Sequence, residues 1–237
     1  MPARRLIAGA RPWDKAGDKV RGSRMRNIQR YAEPFAAHDI PIVAATEESL
    51  KGYGRIERDF ESAHIEIVRW PAQGWRKVDP DTGDEAGTTE GAFSINWQGD
   101  VLYGRNEAVG GHYLLGWSCD PRQASDKTAA PERKRALVWH ANYHPDGGQL
   151  FFPRSKVPYI VPLALPGDDL KPDQFVGFYS DGSFGIYFHP NVWHTPAVPL
   201  VDNAVFDDRQ GKVHARVSCH FVDEFGCYLG VPMHAPA

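Results

Sequence analysis

The chain has 237 residues and a formal net charge of −3, with 42% hydrophobic and 12% aromatic residues, a composition that excludes a disordered protein. No apolar run approaches the roughly 20 residues of a membrane-spanning helix, so we expect no membrane partner. Three cysteines are too few for a disulfide framework and favour a reducing compartment, which we take to be the cytoplasm.

The first 30 residues are strongly basic. They hold nine Lys and Arg side chains against two Asp, a local +7 that leaves −10 for the rest of the chain. Such a segment can bind nucleic acid or an anionic surface, act as a targeting peptide, or be a solvated extension, with Met25 as an alternative start. It lacks the interleaved aromatic residues of a nucleic-acid binder. We therefore predict a basic N-terminal extension over residues 1–45 and no nucleic-acid partner.

Glycine and proline punctuate the whole chain, with 23 and 19 occurrences. Two short helices are predicted near the N-terminus, over 26–38 and from Thr46 as N-cap to Gly52 as terminator. Short segments with strand character follow, separated by turns. The predicted strands are 65–70, 92–97, 101–105, 112–117, 136–143, 149–152, 157–164, 175–179, 185–189, 197–199 and 214–222, and the predicted loops are 71–91 and 119–134. This pattern predicts one mainly β domain, a sandwich or barrel, over 46–237.

Six of the ten histidines lie between residues 140 and 220. The first group belongs to the segment Trp139-His-Ala-Asn-Tyr-His, which follows an apolar run. Because side chains on a strand alternate with a period of two, His140, Asn142 and His144 share one face. A core strand would keep that face apolar, so three polar side chains there indicate the lining of a cavity. A Pro-Asp-Gly-Gly turn then leads to a strand that begins at Gln149.

The second group lies over residues 185–196. Tyr187 and His189 share a strand face, and a Pro-Asn turn returns the chain to His194. Two imidazoles five residues apart across a tight turn can enter one cavity, which predicts that His189 and His194 form a pair. Farther along, Cys219 and His220 are adjacent on a strand and point to opposite faces, which argues against a cysteine nucleophile with its own base.

The two motifs resemble those of the cupin superfamily, whose members bind small ligands inside a β-barrel. The first cupin motif has His-x-His followed by Glu, at the positions of Asn142, His144 and Gln149, and the second ends in a His, the place of His194. The resemblance implies a cupin-type β-barrel (a double-stranded β-helix or jelly roll) with a few short helices near the N-terminus.

A closer resemblance is to the ureidoglycolate lyase family. It covers about residues 48–224 and is strongest over 144–153 and 185–196. The family pattern has an acid two residues before the first His, where this chain has Asn142, and residues 1–45 and the two long loops exceed the usual family length.

This resemblance implies a carbon–nitrogen lyase of allantoin and purine catabolism, which cleaves ureidoglycolate into glyoxylate and urea. Breaking the carbinolamide bond needs a base for the hydroxyl proton and an acid for the departing urea nitrogen, and histidines serve both roles near neutral pH. We expect His189 and His194 as the acid/base pair and His144 as a further catalytic residue. The candidate substrate-binding residues are Gln149, Asn142, His140, Tyr187 and Arg154; the alternative for Arg154, a surface arginine, is favoured.

A divalent ion (Zn²⁺, Mn²⁺, Fe²⁺ or Ni²⁺) is the candidate cofactor, with His144, His194, His140 and Gln149 as candidate ligands. Because Asn and Gln are weak ligands and no anion completes the set, a metal-free or weakly metallated site is favoured. One alternative is another cupin enzyme, a hydrolase, decarboxylase or isomerase of a different small carboxylated substrate. A second alternative is a non-enzymatic sensor of small acids, which the paired histidines argue against. We expect a homodimer, because open barrel edges favour pairing.

Overall fold

The computed structural model describes residues 36–80, 82, 87–129, 131–212 and 215–237, and these residues form two β-sheets with little helix. The extension up to residue 35, and with it residues 26–35 of the predicted helix over 26–38, lie outside the described residues. Residues 36–38 belong to a strand instead of a helix. Within the described ranges, no helix has the length and apolar character needed to cross a bilayer.

The larger sheet has ten strands. They are β1 (Ala36–Asp39), β3 (Gly54–Glu57), β4 (Thr88–Gln98), β5 (Val101–Asn106), β6 (Gly111–Trp117), β7 (Arg135–Val138), β9 (Gln149–Pro153), β12 (Gly185–Phe188), β15 (Asn203–Gly211) and β17 (Cys227–Pro232). Their spatial order is β1-β17-β7-β6-β5-β4-β15-β9-β12-β3. Most neighbours are antiparallel, as expected for a chain with short connections.

The smaller sheet has seven strands. They are β2 (Ile42–Ala44), β8 (His140–Tyr143), β10 (Tyr159–Ala164), β11 (Val176–Ser180), β13 (Trp193–His194), β14 (Val198–Pro199) and β16 (Val217–His220). The order is β16-β8-β13-β10-β11-β2, and β14 pairs with β10. A 3₁₀ turn (Pro172–Gln174) and one short helix, α1 (Phe221–Phe225), complete the regular structure of the described residues.

The two sheets enclose one main apolar core. Tyr159 of the smaller sheet and Phe206 of the larger sheet are both fully buried, and their ring centroids lie 5.0 Å apart. A second, smaller cluster on the outer side of the larger sheet contains Leu150 and Tyr187, covered by Ala63 and Ile65. The architecture confirms the predicted mainly β, cupin-type fold.

Several predicted elements differ from the structure near the N-terminus. The segment after Thr46 forms consecutive turns rather than a helix, although the Thr46 hydroxyl does accept a hydrogen bond from the Ser49 backbone N–H at 3.0 Å. Gly52 ends it with a φ of +87°, which glycine adopts without strain. The predicted strand over 65–70 is reduced to one bridge between Ile67 and Gly147. These segments lie outside the sheets, where no partner strand extends the pairing.

Residues 36–44, inside the predicted extension, contribute one strand to each sheet: β1 pairs with β17, and β2 pairs with β11. Among their described residues, the predicted loops are confirmed except at 88–91, where β4 has already begun. The predicted strand over 136–143 is interrupted at Trp139, so that β7 and β8 join different sheets. The last predicted strand ends at His220, where α1 begins.

Candidate active site

Two of the predicted imidazoles, those of His144 and His194, meet inside the barrel. Their ring centroids lie 4.9 Å apart, and the two side chains are 4% and 3% exposed. His194 lies on β13, which pairs with β8 opposite Asn142, and His144 follows β8 directly. The pairing of β8 with β13 therefore sets the separation of the two rings.

Backbone carbonyls orient both rings. The Nδ1 atom of His144 lies 2.8 Å from the Ala215 carbonyl oxygen, and that of His194 lies 3.0 Å from the Val192 carbonyl oxygen. Since a carbonyl only accepts, each Nδ1 carries a proton. In the neutral ring Nε2 then carries a lone pair, so the contact of His144 Nε2 with the Gln149 amide oxygen at 3.2 Å becomes a hydrogen bond only when that ring is protonated. Burial lowers the pKa of His144 to about 4 and lowers the pKa of His194 well below its ordinary value. The interior of the barrel thus contains two neutral imidazoles, each with a lone pair on Nε2.

Asn142 joins the two rings. Its Nδ2 atom lies 3.2 Å from Nε2 of His144 and 3.1 Å from Nε2 of His194. A side-chain amide has two N–H donors, one for each ring. A neutral donor matches two neutral acceptors, whereas a carboxylate at this position would require protonated rings. Asn142 therefore favours the neutral form of both imidazoles.

A buried carboxylate lies behind Gln149. The Oε1 atom of Gln149 is 3.2 Å from Nε2 of His144, and its Nε2 donates to Oδ1 of Asp208 at 2.7 Å. Asn106 donates to the other carboxylate oxygen at 2.7 Å, and Gln210 donates to that same oxygen. Burial raises the pKa of Asp208 to about 6, although the three amide hydrogen bonds lower it.

The sequence interpretation missed Asp208 and Gln210 because β15 was not predicted. Their positions, two apart on one strand, put both side chains on the same face. The same buried face carries Ala204 and Phe206, and these two apolar residues, spaced by two, are the signal that could have identified it.

A second series of hydrogen-bonded polar side chains begins at His140, on the same face of β8. Its Nε2 lies 3.0 Å from Oγ of Ser218, and this hydroxyl donates to Oδ2 of Asp79 at 2.7 Å. Nε of Arg216 donates to the same carboxylate oxygen at 2.7 Å. Burial lowers the pKa of His140, and the charges of His220 and Arg216 lower it further. Arg216, which the sequence interpretation also missed, thus brings a cation next to the imidazoles.

The expected pair of His189 and His194 does not form. The side chain of His189 is 40% exposed, and its Nδ1 lies 3.5 Å from a carboxylate oxygen of Glu66. Tyr187 shares that outer face, and its hydroxyl accepts a hydrogen bond from the Glu66 backbone N–H at 3.2 Å. Because side chains alternate along β12, it is Phe188 that faces the interior of the barrel.

Arg154 also lies apart from the imidazoles. Its guanidinium is half exposed and donates through Nε to Oδ1 of Asp207 at 2.8 Å. The favoured alternative, a surface arginine, describes this position.

The donor set around the two imidazoles fits a divalent ion poorly. At the positions where cupins have metal ligands, the chain offers two imidazoles and the amides of Asn142 and Gln149, so an anionic ligand is missing. His140 is engaged with Ser218 at 3.0 Å. Within the described ranges, no group of three or more His, Cys, Asp or Glu side chains has an arrangement that could hold a metal ion. We derive no chemical step through a metal.

Comparisons with known proteins point to one family. The model of the family described as ureidoglycolate lyase matches residues 116–224, which contain His140, His144 and His194. The chain is 36% identical over 133 residues to the ureidoglycolate lyase of Stutzerimonas stutzeri, a match that covers 48% of this chain and 76% of the relative.

Two further relatives match over shorter stretches. The ureidoglycolate lyase of Azotobacter vinelandii is 37% identical over 70 residues, 29% of this chain and 42% of the relative. That of Salmonella paratyphi B is 40% identical over 88 residues, 35% of this chain and 54% of the relative. The chain thus spans about half the length of these two relatives and three quarters of the Stutzerimonas protein. Together, the fold, the imidazole pair and the Stutzerimonas match place this chain in the ureidoglycolate lyase family.

Proposed function

We propose that this protein cleaves ureidoglycolate into glyoxylate and urea. One observation carries the proposal: in a member of this family, two buried neutral imidazoles direct their Nε2 atoms to one point, Asn142 Nδ2, at 3.2 and 3.1 Å. The lone pair of a neutral imidazole can take up the hydroxyl proton and pass it to the urea nitrogen, which is what this reaction requires.

The proposed chemistry uses the imidazole pair formed by His144 and His194. The lone pair on one Nε2 accepts the proton of the carbinol hydroxyl, and the C–O bond becomes the C=O bond of glyoxylate. The C–N bond breaks, and its electron pair stays on the urea nitrogen. The imidazolium then returns the proton to that nitrogen, so that urea leaves and the neutral ring is restored. Since Nδ1 of each ring is held by a carbonyl, Nε2 handles the proton throughout.

Arg216 is the proposed partner of the substrate carboxylate. Its Nε donates to Asp79, which fixes the guanidinium plane, and among the described residues its two terminal nitrogens show no hydrogen bond. Arginine binds carboxylates through two parallel hydrogen bonds. After burial, its charge contributes to the low pKa of both His140 and His144, in keeping with a position near these two imidazoles. In this proposal Arg216 takes the role that the sequence suggested for Arg154.

Incubation of the purified chain with ureidoglycolate tests the proposal. We expect equal amounts of glyoxylate and urea, because the C–N bond breaks without hydrolysis of the ureido group. Release of ammonia instead of urea would indicate an amidohydrolase, and no turnover would overturn the proposal.

Metal independence belongs to the proposal and is supported by the uncharged donor set. Glyoxylate release should therefore persist after prolonged treatment with a chelator, and its loss, with recovery on adding Zn²⁺, Mn²⁺, Fe²⁺ or Ni²⁺, would contradict this part.

A cytoplasmic homodimer also remains a proposal. All three cysteines carry free thiols, in keeping with a reducing compartment. Strands β3 and β16 each end a sheet path and offer an edge for pairing with a second copy. Light scattering on the purified protein measures its oligomeric state, and a monomer at micromolar concentration would contradict the dimer.

A further inference from the structure

Two glutamines lie side by side in the interior of the barrel. Gln149 on β9 and Gln210 on β15 are directly opposite each other in an antiparallel pair, so their side chains are neighbours on one face. Both are buried, with 3% and 0% exposure. Burying two amides inside an apolar barrel is unfavourable unless their polar atoms are satisfied.

One carboxylate orients both amides. Nε2 of Gln149 donates to Oδ1 of Asp208 at 2.7 Å, and Nε2 of Gln210 donates to Oδ2. Because an ionised carboxylate only accepts, it holds the nitrogen end of each amide. The two amide oxygens are thereby turned away from Asp208.

These two oxygens have different surroundings. Oε1 of Gln149 lies 3.2 Å from Nε2 of His144, so it opens onto the imidazole pair. Oε1 of Gln210 is buried and has no hydrogen-bond partner among the residues that the structure describes. Buried acceptors without a donor are rare in native proteins. An N–H or O–H group of a bound ligand would satisfy this one.

We propose that Gln149 and Gln210 form the recognition subsite for the ureido group, with Gln210 as the residue that selects for its terminal NH₂. This inference rests on the proposed function. A ureido group carries N–H donors on both nitrogens, and the glutamine pair presents two oriented acceptors. The inner nitrogen at Gln149 Oε1 lies beside His144, which can protonate it as the C–N bond breaks. The terminal NH₂ then donates to Gln210 Oε1.

Two inert ligands isolate the terminal NH₂. N-carbamoylglycine has the ureido group and the carboxylate but no carbinol hydroxyl, and N-acetylglycine differs from it only by a methyl group in place of the NH₂. By calorimetry, we expect the native protein to bind N-carbamoylglycine at least about tenfold more tightly, since an unpaired buried acceptor disfavours the methyl analogue. Equal affinities would overturn the proposal.

The variant Gln210→Met removes the acceptor and keeps a similar volume. Its preference for N-carbamoylglycine should fall to nearly one, while Gln123→Met, on an exposed loop, keeps the native preference. If folded Gln210→Met keeps the native preference, the ligand does not hydrogen-bond to Gln210 Oε1 in the native protein. Water alone would then satisfy that oxygen, and the proposal would be overturned. The ligand comparison on the native protein decides the matter even where Gln210→Met fails to fold.

Binding and turnover separate this inference from the proposed function. Selective binding of N-carbamoylglycine without ureidoglycolate cleavage supports the subsite and overturns the lyase activity. Cleavage of ureidoglycolate without selective binding supports the activity and overturns the subsite.

Discussion

The ring of Phe188 lies 4.3 Å from the ring of His194, centroid to centroid, on the inner side of the larger sheet. The next residue along the chain, His189, points to the outer side and faces Glu66. Phe188 covers one side of the His194 imidazole, and His144 approaches it from another direction. The ring is therefore fixed by packing as well as by its hydrogen bonds, and this arrangement decides which histidines can exchange protons with a substrate.

The first prediction separates the inner histidines from the outer one. Replacement of His144 or His194 by Asn should lower kcat for glyoxylate release by about 10²- to 10⁴-fold, the usual contribution of a positioned general acid or base. His189→Asn should retain nearly full activity, because the side chain lies on the outer face. Steady-state kinetics on the three variants makes the comparison. A loss in His189→Asn as large as in the other two would contradict the assignment.

The histidine motifs were predictable from the sequence, but the face of β12 was not. Residues 185–189 alternate between Ile186 and Phe188 on one side and Tyr187 and His189 on the other, and both sides are compatible with burial. The choice depends on the small outer cluster around Ile65, which covers Tyr187. That contact joins segments more than 100 residues apart, and no local pattern encodes it.

Strand β15 was not predicted, for a related reason. Its sequence contains Asp207, Asp208, Arg209 and Gln210, residues that are poor strand formers in isolation. Nine residue pairs with β4 and five with β9 stabilise the strand in the fold. The buried carboxylate of the site lies on this strand, so the strand and its function were missed together.

The second prediction concerns the acid limb of the pH profile. The base must be neutral to accept the hydroxyl proton, so activity falls as pH drops through its pKa. Because burial lowers the pKa of His144 to about 4, kcat/KM should stay constant from pH 7 down to about pH 5 and fall only below that. A limb centred near 6.5, the ordinary value for imidazole, would contradict the neutral, desolvated pair.

The third prediction is that a substitution at Asn142 shifts the acid limb of the kcat/KM profile. In Asn142→Asp, a carboxylate replaces the amide that contacts both Nε2 atoms at 3.2 and 3.1 Å. The negative charge stabilises imidazolium, so the pKa of the pair rises and the acid limb of kcat/KM moves to higher pH. NMR titration of the ring protons measures the same shift without turnover. A limb that stays in place would show that Asn142 has no influence on the protonation of the rings.

The fourth prediction tests the carboxylate anchor. Arg216→Gln should raise KM for ureidoglycolate by about ten- to a hundredfold, the usual loss when a charge-assisted hydrogen bond is removed. The matched control, Arg154→Gln, breaks only a half-exposed ion pair with Asp207 and should leave KM unchanged. An unchanged KM in Arg216→Gln would contradict the assignment of Arg216. An increase in KM confined to Arg154→Gln would identify Arg154 as the residue that binds the substrate carboxylate.

The fifth prediction concerns the stability of the fold and the charge of Asp208. Burial raises its pKa from 3.8 to about 6, so between these values the native state holds a proton that the unfolded chain releases. The stabilisation from this proton is complete below pH 4 and is lost as pH rises through 6, a change of about 3 kcal/mol at 1.36 kcal/mol per pKa unit.

The variant Asp208→Asn isolates this effect, since an amide does not titrate. Guanidinium unfolding at pH 4, 5, 6 and 7 should show the free energy of unfolding of the variant rising relative to the native protein across this range, and levelling off above pH 6. New contacts between the introduced amide and its three amide neighbours add an offset that does not depend on pH, so the slope is the diagnostic quantity. Asp207→Asn, which removes the adjacent, partly exposed carboxylate, is the matched control. A difference between Asp208→Asn and the native protein that is constant from pH 4 to pH 7 would show that the buried carboxylate titrates as it does in the unfolded chain.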